Sequence, residues 1–121
     1  GGVASYPVSD LRALTEVTHR FEAHYCDTLV GEPGVVGWER YDELSPLYRA
    51  DRIGAPLLLF HGSDDPVVPI SQSAAVAEAI RSSGGHVDFV VYDGEGHGFR
   101  NSTNVRDEYE QTEAFLTALT P

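Results

Sequence analysis

The sequence lacks several residue types, and each absence narrows what the protein can be. There is no methionine among the 121 residues, so we expect the chain to be a piece of a longer polypeptide. There is also no lysine: eight arginines face 19 acidic residues, and the formal net charge is −11. Nucleic acid and anionic membrane surfaces are therefore not expected as partners. No apolar run approaches the roughly 20 residues that cross a bilayer.

Cysteine is nearly absent as well. The one cysteine, Cys26, cannot form an internal disulfide. A fold without cross-links suits a reducing compartment, so we predict a cytoplasmic location. The hydrophobic content of 41% is enough for one core at this length, and we expect residues 1–121 to form a single unit.

What the sequence does contain is an alternation of strand-like and helix-like segments. Strands are predicted for the opening GGVASY, for the apolar run APLLLFHG at 55–62, and for HVDFVVY from residue 86. Helices are predicted after each strand, capped by Ser9 or Asp10, by Ser71 and by Asn104. The first helix carries an apolar stripe of Leu11, Leu14, Thr18, Phe21 and Tyr25.

Residues 35–53 are polar and aromatic, and we predict only a connection with local structure, in which a short helical turn begins at Ser45-Pro46. The alternation predicts an α/β fold of about three parallel strands with flanking helices.

Candidate functional residues follow the second and third strands. Asp64 and Asp65 come directly after PLLLFHG, and His97 comes after VDFVVY, in the loop DGEGHGF. Because neighbouring parallel strands end at the same edge of a sheet, we expect an aspartate to reach the His97 ring. A carboxylate that accepts one ring N–H fixes the tautomer and leaves the other nitrogen as a general base. The glycines Gly94, Gly96 and Gly98 permit backbone angles that other residues resist.

These segments resemble a known family. PLLLFHGSDDPVVPISQSAAVAEAI followed by VVYDGEGHGF is similar to the C-terminal end of the catalytic domain of the prolyl oligopeptidase family of serine peptidases, which has an α/β-hydrolase fold. SYPVSDL, THRFEAHY and SPLYRADRI extend the resemblance over almost the whole chain. The family pattern selects Asp65 as the acid and His97 as the histidine. The resemblance implies that Asp65 orients His97, which passes protons to and from a serine.

The chain departs from the family in one respect. No serine stands in the Gly-x-Ser-x-Gly elbow that carries the nucleophile of these hydrolases. We therefore expect 1–121 to be the C-terminal portion of a peptidase catalytic domain, with the nucleophile upstream, and to be inactive alone. The resemblance implies a peptide or acyl-peptide substrate and no cofactor. An exposed strand at residues 1–6 further predicts that the truncated chain self-associates.

Two other interpretations compete with a serine hydrolase. His61, Asp65 and His97 could bind a metal ion at the same edge of the sheet. The acidic pair Asp64-Asp65 also suggests a phospho-receiver module, but such modules pair their acids with a lysine, which this chain lacks. Of the remaining histidines, His61 is expected to be packed at a strand end, and His19, His24 and His86 are expected at the surface. Trp38 and Tyr41 are expected to pack on the sheet.

Overall fold

The computed structural model describes residues 1–17 and 24–121, which form an α/β structure around a parallel sheet. The strands are β1 (Gly2–Ser5), β2 (Leu57–Gly62) and β3 (Val87–Tyr92), in the order β1-β2-β3. Gly2 lies opposite Leu57, and Leu57 lies opposite Val87, so the carboxyl ends of the three strands meet at one edge. The predicted α/β class and the three parallel strands are confirmed.

The side chains of β2 alternate between two cores. On one face, Leu59 packs with Val76 and Ile80 of α5 (Ser71–Ser82). On the other face, Leu58 and Phe60 pack with Tyr92, and the partly buried Phe99 and Phe115 cover them. Phe115 belongs to α6 (Ser102–Leu119). A strand covered by helices on both faces reads as a continuous apolar run, which is why LLLFHG was recognisable in the sequence.

Short helices lie in the described part of the chain between β1 and β2. They are α1 (Leu11–Val17), α2 (Tyr25–Val30), α3 (Pro33–Val36), α4 (Trp38–Leu44) and a 3-10 helix (Pro46–Arg52). The predicted helical turn at Ser45-Pro46 is confirmed, because the 3-10 helix begins at Pro46, whereas the helix α4 before it was not predicted. α3 and α4 have only four and seven residues and are too short to show a clear apolar stripe.

Tyr41 is the centre of a third core cluster, with Leu14, Cys26 and Val68. Its hydroxyl donates to the carbonyl oxygen of Gly31 at 2.9 Å. Tyr41 is packed, as expected, but against the short helices and the loop after β2 instead of the sheet. Trp38 stays 37% exposed, with its ring 5.1 Å from that of Tyr41. The cluster joins the short helices to the loop after β2, from which Val68 is buried in it and Val67 packs against it.

Only one of the three predicted helix caps is confirmed. Asp10 caps α1, because its Oδ1 accepts from the N–H of Ala13 at 3.0 Å. Ser71 is not the cap of α5: Ile70 precedes the helix without a side-chain cap bond. Asn104 is not the cap of α6 either, since Asn101 accepts from the N–H of Thr103 at 2.9 Å.

Some predicted features fall outside the described residues. Thr18 and Phe21 of the predicted apolar stripe and His19 lie in the segment 18–23. His24 and His86 are exposed, as predicted, with 87% and 67% of their side chains accessible. Among residues 1–17 and 24–121, no helix has the length and apolar character needed to cross a membrane.

Candidate active site

Two loops at the carboxyl edge of the sheet bring Asp65 and His97 together. The acid loop, residues 63–70, follows β2, and the histidine loop, residues 93–101, follows β3. The Nδ1 atom of His97 lies 2.9 Å from Oδ2 of Asp65. The Asp65 side chain is fully buried, while 35% of the His97 side chain is exposed. The predicted juxtaposition of these two residues is present in the structure.

Asp65 is held rigidly from its own loop. Its Oδ1 accepts from the N–H groups of Val67 at 2.8 Å and Val68 at 2.9 Å. Burial alone would raise the pKa of Asp65, but the bonds from Val68, His97 and Val67 outweigh it and hold that pKa below its usual range. Asp65 is therefore an anion, and His97 Nδ1 must donate to it. In this tautomer Nε2 of His97 carries no proton, and no group in the described part of the chain hydrogen-bonds to it.

Gly62 allows the two loops to approach each other closely. A Cβ at this position would lie 2.2 Å from the carbonyl oxygen of Glu95 and 2.7 Å from that of Gly96. The N–H of Asp64 donates to the same Glu95 oxygen at 2.9 Å. Only glycine fits where the backbones pass this closely, so Gly62 contributes to the Asp65–His97 distance.

Glu95 was not singled out from the sequence, yet it organises the histidine loop. Its carboxylate accepts from the N–H of Arg100 at 2.9 Å, from the N–H of Asn101 at 2.8 Å and from Nδ2 of Asn104 at 2.9 Å. Hydrogen bonds from Arg100, Asn104 and Asn101 hold the pKa of Glu95 below its usual range. The Glu95 side chain thus bonds to residues on the far side of His97 in the chain. These bonds hold the two ends of the histidine loop together and attach the loop to the start of α6.

Two glycines beside His97 adopt backbone angles that favour glycine, as predicted. Gly94 has φ +73° and Gly98 has φ +98°, whereas Gly96 lies outside the positive-φ region. Tyr6 also has a positive φ, +44°, directly after β1. Its ring lies 4.3 Å from the His97 ring, measured between centroids. A non-glycine residue in this conformation is uncommon and stores strain beside the candidate base.

His61 is packed, as predicted, and both of its ring nitrogens are occupied. Nδ1 lies 2.6 Å from Ser73 Oγ, and Nε2 lies 2.8 Å from the carbonyl oxygen of Val68. The structure therefore contradicts the alternative metal site of His61, Asp65 and His97, because a metal ion needs a free nitrogen on each histidine. Within the described residues no group of three histidine, cysteine or acidic side chains is arranged to hold a metal ion.

Asp64, the other acidic candidate, points away from the histidine. Its Oδ1 accepts from Ser63 Oγ at 2.9 Å on the exposed side of the acid loop. The hydroxyl of Ser63 in turn accepts from the N–H of Gly94 at 2.8 Å. Asp64 therefore belongs to a turn that links the two loops at the surface.

An apolar cavity of about 350 Å³ opens beside His97. It is lined by Tyr6, Val8, Leu14, Tyr25, Val67, Val68 and His97. Val67 stands two residues after the acid and contributes an apolar wall. Another groove, of about 420 Å³, lies at the opposite edge of the sheet near Pro56 and His86. The cavity beside His97 can hold an apolar group within reach of the candidate base.

Comparison with known proteins identifies the family of the chain. Residues 1–120 match the family described as the prolyl oligopeptidase family. The chain is 32% identical over 119 residues to dipeptidyl aminopeptidase BIII of Pseudoxanthomonas mexicana, covering 95% of this chain and 17% of that protein.

Among solved structures, a puromycin-hydrolysing peptidase of Mycobacterium tuberculosis is similar to the chain with a TM-score of 0.80 at 39% identity. The match covers 88% of this chain and 16% of that one. An acylaminoacyl peptidase of Pyrococcus horikoshii is similar with a TM-score of 0.71 at 25% identity, covering 80% of this chain and 16% of that one. The chain thus spans about a sixth of the length of these relatives.

Proposed function

Because this chain belongs to the prolyl oligopeptidase family, a family of serine peptidases, we propose that Asp65 and His97 are the acid and the base of a Ser-Asp-His triad. The observation that carries the proposal is the 2.9 Å bond between His97 Nδ1 and Asp65 Oδ2. This bond fixes the tautomer in which Nε2 faces away from the acid, ready to accept a proton.

The chemistry follows from that arrangement. His97 Nε2 takes the proton of the serine hydroxyl as the oxygen attacks the carbonyl carbon of the substrate, and Asp65 stabilises the imidazolium that forms. The imidazolium then protonates the leaving amine as the carbon–nitrogen bond breaks, which leaves an acyl-serine. Water hydrolyses the acyl-serine by the same two proton transfers. Partial exposure of His97 lets substrate reach Nε2, while burial of Asp65 keeps its charge directed at one partner.

The nucleophile is proposed to lie upstream of residue 1 in a longer polypeptide. None of the serines of this chain stands in a nucleophile elbow. The residues here are then the C-terminal portion of a catalytic domain. The chain by itself would hold two members of a triad and would not turn over substrate.

The substrate is proposed to be a peptide or an acyl-peptide. The names of the relatives support this, since they include a dipeptidyl aminopeptidase, a puromycin-hydrolysing peptidase and an acylaminoacyl peptidase. The cavity beside His97, with Tyr6, Val67 and Val68 in its walls, suits an apolar side chain next to the bond that is cut.

The sheet suggests how the chain behaves outside the longer polypeptide. Of the three described strands β2 is central, and β1 has only one neighbour. In the complete domain β1 is proposed to pair with an upstream strand, and in the isolated chain with a second copy. Sedimentation of the isolated chain tests this: a monomer at high concentration would contradict it. The cytoplasmic location stays a prediction.

Labelling with a fluorophosphonate, which reacts with activated serines, tests the proposed function. We expect the full-length polypeptide to be labelled, the isolated chain 1–121 to remain unlabelled, and His97→Ala to abolish labelling of the full-length polypeptide. His86→Ala serves as the matched control. It removes an exposed histidine at the opposite end of β3 and should leave labelling unchanged. Failure of the full-length polypeptide to react, or full reaction after His97→Ala, would contradict the triad.

A further inference from the structure

His61 is a fully buried polar residue that the triad itself does not use. It is 0% exposed and lies near the end of β2, between the sheet, the acid loop and α5. It contacts three groups: the hydroxyl of Ser73, the carbonyl of Val68 and the carboxylate of Asp65. A buried imidazole with this many polar partners must be held in one orientation and one tautomer.

The partners of His61 identify the tautomer. The carbonyl oxygen of Val68 can only accept, so Nε2, at 2.8 Å from it, carries a proton. Nδ1 lies 2.6 Å from the hydroxyl of Ser73, which is also 0% exposed. With Nδ1 unprotonated, the Ser73 hydroxyl donates to it and every polar atom of the pair is satisfied. With Nδ1 protonated, the Ser73 hydrogen would have no acceptor among the described residues, which is costly for a buried group.

The Nε2–H group of His61 lies close to the carboxylate that His97 binds. Nε2 lies 3.4 Å from Oδ2 of Asp65, the oxygen to which His97 donates. Val68 couples the contacts, because its carbonyl accepts from His61 while its N–H donates to Oδ1 of Asp65 at 2.9 Å. His61 thus holds Val68, the residue whose N–H holds Oδ1 of Asp65.

The two histidines beside Asp65 donate through different nitrogens and to different groups: His97 to the Asp65 carboxylate, and His61 to the Val68 carbonyl. His97 donates through Nδ1, which leaves Nε2 open toward the cavity. His61 donates through Nε2, and its Nδ1 is occupied by Ser73. His97 is therefore free to exchange a proton through Nε2, whereas both ring nitrogens of His61 are engaged in hydrogen bonds.

We propose that His61, held by Ser73, is a positioning residue that keeps the carboxylate of Asp65 turned toward His97. The inference rests on the proposed function, since the orientation of Asp65 affects a rate only if Asp65 serves the triad. Ser73 lies on α5 and His61 on β2, so the acid takes its orientation from the packed helix and sheet rather than from its own loop alone.

The test compares three substitutions in the full-length polypeptide. His61→Ala removes all three contacts of the ring, and we expect the rate of fluorophosphonate labelling to fall roughly 10- to 100-fold, as for a displacement of a catalytic group by about 1 Å. His61→Gln keeps an amide N–H that can reach the Val68 carbonyl and should restore most of the rate. His86→Gln is the control on an exposed histidine and should change nothing.

The pH profile of labelling separates positioning from a general loss of structure. The groups that contact His97 are Asp65 and the ring of Tyr6. If Asp65 turns away in His61→Ala, the imidazolium of His97 loses its partner, and the pH at which labelling is half-maximal moves down. A lower thermal midpoint with an unchanged labelling rate and pH profile would overturn the proposal. Should His61→Ala fail to fold, Ser73→Ala is expected to give a smaller change in the same direction, and an unchanged profile for it would overturn the proposal equally.

A direct measurement keeps this inference distinct from the proposed function. Nitrogen chemical shifts of ¹⁵N-labelled histidine in the full-length polypeptide should show His61 protonated on Nε2 and His97 protonated on Nδ1. Protonation of His61 on Nδ1 would overturn the inference even if the enzyme is active. Absence of labelling in the unsubstituted protein would instead contradict the proposed function, and the tautomer of His61 would then still show whether the contacts proposed here are made.

Discussion

The acid loop and the histidine loop each contain one buried carboxylate, and the two carboxylates differ in what they bind. Asp65 is 8% exposed and Glu95 is 7% exposed. Hydrogen bonds hold the pKa of each below its usual range. Asp65, however, keeps one oxygen for a ring that can exchange protons, whereas Glu95 uses both oxygens on groups of its own loop and of α6. Burial and a lowered pKa are shared by both, so only the partner separates a candidate catalytic carboxylate from a structural one.

Replacing each carboxylate by its amide tests this difference most strongly. Asp65→Asn should lower the turnover of the full-length polypeptide about 10⁴-fold, because an amide can bind the wrong tautomer of His97. Glu95→Gln should lower it less than about 10²-fold, since it loosens the loop without touching the ring. Turnover of a peptide amide substrate measures both. Equal losses from the two substitutions would contradict the division of roles.

The contrast between the two carboxylates also shows what the sequence could reveal. The pairing of an aspartate with His97 was predictable, because both follow apolar runs that were expected to be neighbouring parallel strands. The choice of Asp65 over Asp64 was not, since adjacent acids in a loop differ only in the direction of their side chains. The family resemblance, not the residues alone, selected Asp65.

Glu95 illustrates what sequence patterns miss. An acidic residue among glycines is typical of a solvated turn, and nothing in the local sequence indicates that Asn101 and Asn104 approach it. The segment Asn101-Ser102-Thr103-Asn104 contains four residues that can each cap a helix. Bonds from Arg100, Asn101 and Asn104 to Glu95 fix where α6 begins, and these are contacts of the folded loop. The predicted cap at Asn104 was wrong for this reason.

Gly62 allows the acid loop and the histidine loop to pass close to each other. Gly62→Ala would place a Cβ 2.2 Å from the Glu95 carbonyl oxygen, so the histidine loop must move away from the acid loop. We expect a loss of labelling of roughly 10²-fold and a loss of stability of about 1–3 kcal/mol. Gly54→Ala is the matched control, because a Cβ there meets nothing within 4 Å. Wild-type labelling in Gly62→Ala would show that the approach of the loops does not set the Asp65–His97 geometry.

Both carboxylates should make the protein less stable as the pH falls. Each has a folded-state pKa below its unfolded value, so the unfolded chain binds protons first as the pH falls. Their contribution to stability is complete above pH about 5 and is lost as the pH falls below about 4. The thermal midpoint of the full-length polypeptide, measured across this range, should fall less steeply in Asp65→Asn and in Glu95→Gln.

Glu110→Gln, on the exposed side of α6, is the control for removing one negative charge. If it flattens the acid decline as much as Glu95→Gln does, the effect comes from net charge and not from the buried hydrogen bonds. A decline that is unchanged in both loop variants would mean that neither carboxylate is stabilised in its ionised form by folding.

The smallest expected effect concerns the residue directly before the histidine loop. Tyr92, the last residue of β3, is 6% exposed and donates from its hydroxyl to Oδ2 of Asp107 on α6 at 2.8 Å. Burial, and then Asp107, raise the pKa of Tyr92, so the phenol keeps its proton. Tyr92→Phe should lower the free energy of unfolding by about 1 kcal/mol in a denaturant titration and leave labelling unchanged. Tyr48→Phe removes a similar bond, to Asp10 at 3.1 Å, from a residue that is 54% exposed, and should cost less. A loss of labelling in Tyr92→Phe would show that the histidine loop, unlike the acid loop, takes the position of its functional residue from the strand that precedes it rather than from Glu95.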